Sequence, residues 1–202
     1  MSLISGIILG AGESRRMGTL KQLLPFGSKT VIETVIDAFM LSDISEVILV
    51  LGHQSRQISE ALGSLDVKIA INERYMEGML SSIQCGIRLA SDSSEAFMIG
   101  LGDQPSILPD DVNRLIGYFR ISNKGIVLPV YNGRRGHPVI IHKKYRDDIY
   151  NLDPEIGLRH LMQKYPEDIC YLDWASDSIA RDMDKPEDYE RELQSLKKLK
   201  GN

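Results

Sequence analysis

Residues 9–21 read Leu9-Gly10-Ala11-Gly12-Glu13-Ser14-Arg15-Arg16-Met17-Gly18-Thr19-Leu20-Lys21 and follow directly on an apolar run at 3–8. Residue types in that order suit a polyphosphate. Small residues at Gly10, Ala11 and Gly12 let the main chain turn sharply after Leu9 and bring its N–H groups close to anionic oxygens. Ser14 adds a hydroxyl, and Arg16 and Lys21 add full positive charges. Spacing excludes two familiar phosphate loops. The dinucleotide fingerprint needs a third glycine where Arg15 stands, and the Walker loop needs Gly-Lys-Ser/Thr where this chain has Gly18-Thr19-Leu20-Lys21.

Three other clusters carry matching chemistry. Asp103 follows an apolar run and precedes Gln104-Pro105, a carboxylate at a strand exit. Phosphoryl transfer from a nucleoside triphosphate requires charge neutralisation, and Mg2+ favours one or two carboxylates with phosphate and water completing its shell. Asp103 is therefore expected as a metal ligand and catalytic group, although an Asx turn or helix cap uses the same side chain. Gly78 opens a helix whose first turns contain Ser81 and Ser82, hydroxyls that can read a base or ribose and can equally cap the helix. Arg134, Arg135, Gly136 and His137 precede another apolar run. The arginines offer bidentate contacts to phosphate or ordinary solvent exposure, and His137 offers shape or hydrogen bonding rather than a base.

These residues need elements to position them. Apolar runs of strand length recur at 4–9, 46–51, 67–71, 96–101, 125–130 and 139–141. Helical spacing lies between most of them, at 31–41, 55–62, 80–90, 109–118 and 156–163. The alternation predicts an α/β fold with a mainly parallel sheet. Ligands of such sheets bind beyond the carboxyl ends of the strands, where all the sharpest features fall. The final stretch, 187–202, reads as a charged helix with a solvated face. No repeat or linker divides the chain, so a single domain over 1–202 is expected.

Composition narrows the function classes. The 202 residues are 43% hydrophobic, enough for one core, and no apolar stretch approaches the roughly 20 residues of a membrane span. A net charge of −4 argues against a broad nucleic-acid surface, so an anionic ligand must be met locally. Cys85 and Cys170 stand far apart with no partner at metal-ligand spacing, which fits the cytoplasm and neither a disulfide framework nor a zinc site.

The run Gly12-x-Ser14-x-Arg16-Met17-Gly18-x-x-Lys21, then Gln22-Leu23-Leu24-Pro25, resembles the signature of the nucleotidyltransferases that activate molybdopterin cofactor, above all the molybdenum cofactor cytidylyltransferases. Gly102-Asp103-Gln104-Pro105, Gly78-Met79-Leu80-Ser81-Ser82, Gly136-His137-Pro138 and Asp182-Met183-Asp184-Lys185-Pro186-Glu187-Asp188 resemble that family's later motifs, in the same order. Two departures stand out. Gly10 replaces the usual alanine, and Pro154-Glu155-Ile156-Gly157-Leu158-Arg159 replaces Gly-Asp-x-Gly-Ala-Arg. The resemblance implies a three-layer Rossmann-like, glycosyltransferase-A-like fold and a Mg2+-dependent cytidylyl transfer from CTP to the terminal phosphate of a molybdopterin-type cofactor, releasing pyrophosphate. It implies Asp184 as second metal ligand, with Asp182 on the same side of an extended segment and helix capping as the competing use of Asp184. It places the pterin phosphate at residues 134–137. The alternatives are guanylyl transfer from GTP, transfer to a sugar phosphate, and a non-catalytic accessory protein that hands the cofactor to a molybdenum hydroxylase.

Overall fold

The computed structural model describes residues 3–63 and 65–200; Gly201 and Asn202, the end of the expected last helix, lie outside the described residues. The strands are β1 (Ile4–Leu9), β2 (Pro25–Phe26), β3 (Lys29–Thr30), β4 (Glu46–Leu51), β5 (Lys68–Ile71), β6 (Ala96–Leu101), β7 (Ile126–Tyr131), β8 (Arg134–Arg135), β9 (Val139–His142) and β10 (Ile169–Asp173). The helices are α1 (Val31–Met40), α2 (Ser55–Leu62), α3 (Met79–Leu89), α4 (Pro109–Ser122), α5 (Arg146–Tyr150), α6 (Leu158–Lys164) and α7 (Pro186–Lys200).

Strands buried on both faces read as near-continuous apolar runs, and β1, β4 and β6 do, interrupted only by Ser5 in β1 and preceded by Glu46 at the start of β4. The main sheet runs in the order β10, β7, β9, β6, β1, β4, β5, with β8 paired to β7. β1 is parallel to β4 and β6, β4 to β5, and β10 to β7, whereas β9 runs antiparallel to β6 and β7. The expected mainly parallel sheet is therefore present. Its period of two sends Ile4 and Ile8 to one face and Ile7 to the other. The first face is covered by α1, α2 and α4 through Ile36, Phe39, Ile58 and Leu115; the second by α3, α5 and α6 through Ile83, Ile87, Ile149 and Leu161. Three layers result. Because β1, β4, β5 and β6 share one direction, the chain leaves all four at the same end of the sheet.

Two expectations need correction. α6 begins at Leu158 rather than at 156, because Gly157 stands at φ 64°, a left-handed conformation that ends the preceding turn. The terminal helix is not a freely solvated face. In α7, Leu193 and Leu196 pack against a small core of Phe26, Val31 and Met183, and Tyr189 donates to the carbonyl of Pro25 at 2.5 Å. Glu192 is only 1% exposed; it accepts from Ser106 and pairs with Arg181 at 3.1 Å.

α3 approaches the sheet at Gly86, where an added Cβ would lie 2.4 Å from Ile7 Cγ2 and 3.0 Å from Val50 Cγ2. Both neighbours are fully buried and cannot retreat. Gly86→Ala is therefore expected to destabilise the fold by roughly 1–3 kcal/mol despite its better helix propensity, read as a lower urea midpoint; an unchanged or higher midpoint would refute the tight approach.

Candidate functional site

The loop after β1 is shaped by a residue whose role the sequence reading passed over. Gln22 is 2% exposed, and its Nε2 donates to the carbonyls of Gly10 and Gly12 at 3.1 and 3.2 Å. Each peptide unit is planar, so turning those two carbonyls inward turns the N–H groups of Ala11 and Glu13 the opposite way, outward. Gly10 gives its own N–H to Val50 at 2.8 Å and so prolongs the strand rather than serving an anion. A Cβ on Gly12 would meet nothing within 4 Å, which leaves the space above it open. Ser14, expected to bind nucleotide, also supports the loop itself. It holds φ 53°, accepts from the N–H of Lys21 at 3.3 Å and donates to Gln22 Oε1 at 3.2 Å.

Lys21 begins a short helical turn and points at the exit of β6. Its Nζ lies 2.5 Å from Asp103 Oδ2 and 3.4 Å from Asp184 Oδ1, with the lysine and Asp103 side chains 13% and 15% exposed. Arg16 reaches Asp184 Oδ2 at 2.7 Å from a largely exposed position. The capping question for Asp184 has a geometric answer: Asp188 Oδ2 accepts from the N–H groups of Asp184 and Lys185 at 3.2 and 3.0 Å, so Asp188 caps α7 and the Asp184 carboxylate faces the cations. Asp182 accepts from Gln104 at 2.8 Å. Burial, and then the negative charges of Asp103 and Asp184, push its carboxyl above the usual range. Among the described residues, no three His, Cys, Asp or Glu side chains converge closely enough to hold a metal ion unaided. The donor set is hard oxygen throughout, and clustered carboxylates suit a small divalent cation that draws further ligands from phosphate and water.

A cleft of about 390 Å³ opens here, lined by Leu9, Gly10, Ala11, Gly12, Gly102, Asp103, Asp182 and Asp184 at one end and by Tyr75, Gly78, Met79 and Ser82 at the other. It continues into a second cleft of about 330 Å³ along Ser14, Arg15 and Arg16, the two sharing Gly12, Lys21 and Asp184. One end is thus charged and the other is walled by neutral side chains. Ser82 lines the cleft, whereas Ser81 does not. The Ser81 hydroxyl is spent on the carbonyls of Arg74 and Gly78 at 2.9 and 2.8 Å.

Residues 134–137 do not line either cleft. Arg134 is exposed in β8, while Arg135 donates to the Tyr171 hydroxyl at 2.8 Å and stacks over its ring. Gly136 is forced by Ile179, whose carbonyl would lie 2.3 Å from a Cβ. That same carbonyl accepts from the N–H of His137 at 2.8 Å and from Gln104 at 3.3 Å, which couples this strand to the segment carrying Asp182 and Asp184. His137 is half-buried with its ring in dense protein, and desolvation pushes its pKa down to about 4.

The MobA-like NTP transferase domain family matches residues 6–169. The molybdenum cofactor cytidylyltransferase of Escherichia coli (strain K12) is 31% identical over 144 residues, 71% of this chain and 72% of that protein. Nicotine blue oxidoreductase of Paenarthrobacter nicotinovorans is 26% identical over 199 residues, 94% of this chain and 96% of that one. A nucleotidyl transferase from Methanothermobacter thermautotroptrophicus superimposes with a TM-score of 0.86 at 23% identity, covering 100% of both chains. The sheet order and layers are those of the glycosyltransferase-A-like fold.

Two outcomes follow from the geometry. Gln22→Met removes the clamp on the loop while keeping its volume; at about 1 kcal/mol for each of three lost hydrogen bonds, trypsin should cut after Arg15 or Arg16 roughly a hundredfold faster. An unchanged rate would remove Gln22 from the loop's support. For His137 the folded pKa of about 4 lies below the ordinary 6.5, so unfolding takes up a proton between those values. Its contribution to stability is complete above pH 6.5 and is lost as the pH falls towards 4. Urea titrations at pH 7.5 and 5 should show a smaller acid loss in His137→Gln than in the parent; equal losses would contradict the buried neutral ring.

Proposed function

The chain belongs to the MobA-like NTP transferase family, and from that premise we propose that it transfers a cytidylyl group from CTP to the terminal phosphate of a molybdopterin-type cofactor, releasing pyrophosphate. The observation that carries this reading is the meeting of Lys21 with Asp103 and Asp184 between the charged second cleft and the neutral end of the first. A nucleoside triphosphate has the same two halves. Its phosphates fit the outward N–H groups of the loop with Arg16 and Lys21, and its nucleoside fits the end walled by Tyr75, Met79 and Ser82. The small Ala11 side chain lets a base approach the loop, and Gly12, where an added Cβ would meet nothing, keeps the wall beside it low.

The acceptor is itself an anionic phosphate oxygen, so the reaction needs no strong base. It needs relief of repulsion between two anions. At about 4 Å a unit charge pair is worth about 4 kcal/mol at an effective dielectric near 20 and about 1 kcal/mol in water, so the low exposure of Lys21 raises the value of its charge. In this reading Lys21 leaves Asp103 for the phosphates, and Arg16 leaves Asp184. Asp103 and Asp184 are the residues that would hold Mg2+, which when bound neutralises phosphate charge and aligns the leaving pyrophosphate. Asp182, held by Gln104, adds negative potential beside them. Arg134 and Arg135, with Gly136 and His137, are assigned to the cofactor phosphate; their support is the coupling through Ile179 to the acid segment. Arg135 must then exchange Tyr171 for the ligand.

Transfer from GTP is the alternative inside the family. The relative named as an oxidoreductase shows how far one scaffold can carry different chemistries; the paired acids and cations here favour phosphoryl chemistry. The deciding measurement is pyrophosphate release by the protein with Mg2+, molybdopterin cofactor and each nucleoside triphosphate in turn. Release with CTP is expected, release with GTP alone would move the assignment, and silence with all four would refute transfer to this acceptor. In the active combination, Lys21→Ala and Asp103→Ala should each lose at least about a hundredfold in turnover with an unchanged far-ultraviolet spectrum; full activity in either would strike that residue from the site.

A further inference from the structure

Asn72, immediately after β5, is 5% exposed and makes a hydrogen-bond network whose polarity is determined at every atom. Its Oδ1 accepts from the main-chain N–H of Arg74 at 3.0 Å. A main-chain N–H can only donate, so the amide cannot be turned over. Nδ2 therefore spends its two hydrogens on Ser81 Oγ at 2.8 Å and Ser82 Oγ at 2.9 Å. Ser81 has acceptors for its own proton in the carbonyls of Arg74 and Gly78. Ser82 has none among the described residues, and it lines the neutral end of the cleft. A hydroxyl that already accepts from a buried amide is left with its proton as the group to offer.

Resting on the nucleotide-site reading above, we infer that Asn72 is a positioning residue that fixes Ser82 as a hydrogen-bond donor to the nucleoside, so that the favoured base presents an acceptor, a carbonyl oxygen or ring nitrogen, at that point. Asn72 itself does not line the cleft and acts only through Ser82. Specificity then depends on a side chain in the shell behind the wall. Its chemistry is readable because a primary amide offers two donors and one strong acceptor, and all three are committed.

Asn72→Asp keeps the acceptor for Arg74 and replaces the donor that faces the serines. Ser82 must then give its proton to residue 72 and turn lone pairs to the cleft, reversing what the nucleoside meets. Calorimetric titration of the whole protein, with Mg2+ and no acceptor, against the nucleoside triphosphate it binds best and against inorganic pyrophosphate reads this out. Asn72→Asp and Ser82→Ala should each weaken nucleotide binding about tenfold, their combination should add no more than about twofold, and pyrophosphate binding should stay put. An unchanged nucleotide affinity, an undiminished loss when Ser82→Ala is already present, or a parallel fall for pyrophosphate would overturn the inference. If Asn72→Asp fails to fold, Asn72→Ser, which removes the two amide donors without adding a charge, is held to the same outcomes. A wild-type protein that binds pyrophosphate but no nucleoside triphosphate would instead overturn the nucleotidyltransferase reading, and this one with it.

Discussion

One ammonium group joins three distant stretches of chain. Lys21 Nζ lies 2.5 Å from Asp103 and 3.4 Å from Asp184, so the loop after β1, the turn after β6 and the segment before α7 meet at a single charge. Three carboxylates, Asp103, Asp182 and Asp184, line the cleft there beside it. The arrangement is tolerable only while the cation is in place. Breaking a buried pair leaves an uncompensated charge, typically worth about 3–5 kcal/mol, and burial, then the charges of Asp103 and Asp184, already raises the proton affinity of Asp182. The site is thus held together by the same charges that make it receptive to an anionic ligand.

That cluster depends in turn on parts of the fold far from it in sequence. The family match ends at residue 169, before either Asp182 or Asp184. What fixes those two acids is the last helix. Glu192 buries its carboxylate against Arg181 and Ser106, Tyr189 holds the carbonyl of Pro25, and Asp188 takes up the N–H groups at the helix start. By capping α7, Asp188 frees Asp184 to face Lys21. On the other side, Gln22 ties the loop's carbonyls inward one residue after Lys21, so one short turn sets both the donors and the charge. Removing either support would leave the residues present and the site unformed.

Much of this was legible in the sequence. The six apolar runs read as strands are strands, and the features following them do collect at one end of the sheet, because parallel strands put their exits together. The reading missed β2, β3 and β8, each only two residues long, and β10, where Cys170 and the half-exposed Tyr171 break the apolar run. It also missed what tertiary packing alone decides. Nothing in the spelling of Gln22 distinguishes a surface amide from a 2% exposed clamp. Ser81 and Ser82 look equivalent as neighbours, yet the helix turns one inward to the carbonyls and the other to the cleft. Capping was a competing use of Asp184, and only the path of the chain into α7 gives that role to Asp188 instead.

The two ends of the cleft differ in what they can decide. Charge pairs at low exposure are the stronger interactions but are common to every nucleoside triphosphate, so they set affinity and leave the base unread. A single neutral hydrogen bond contributes about 1 kcal/mol, yet a site that buries a committed donor rejects a ligand lacking the matching acceptor by more, because the donor is then left unpaired. On the proposed reading, discrimination belongs to the quiet end, where Ser82 faces the cleft with its acceptor side already occupied by a buried amide. In that reading the charged end carries the chemistry while the neutral end sets the substrate.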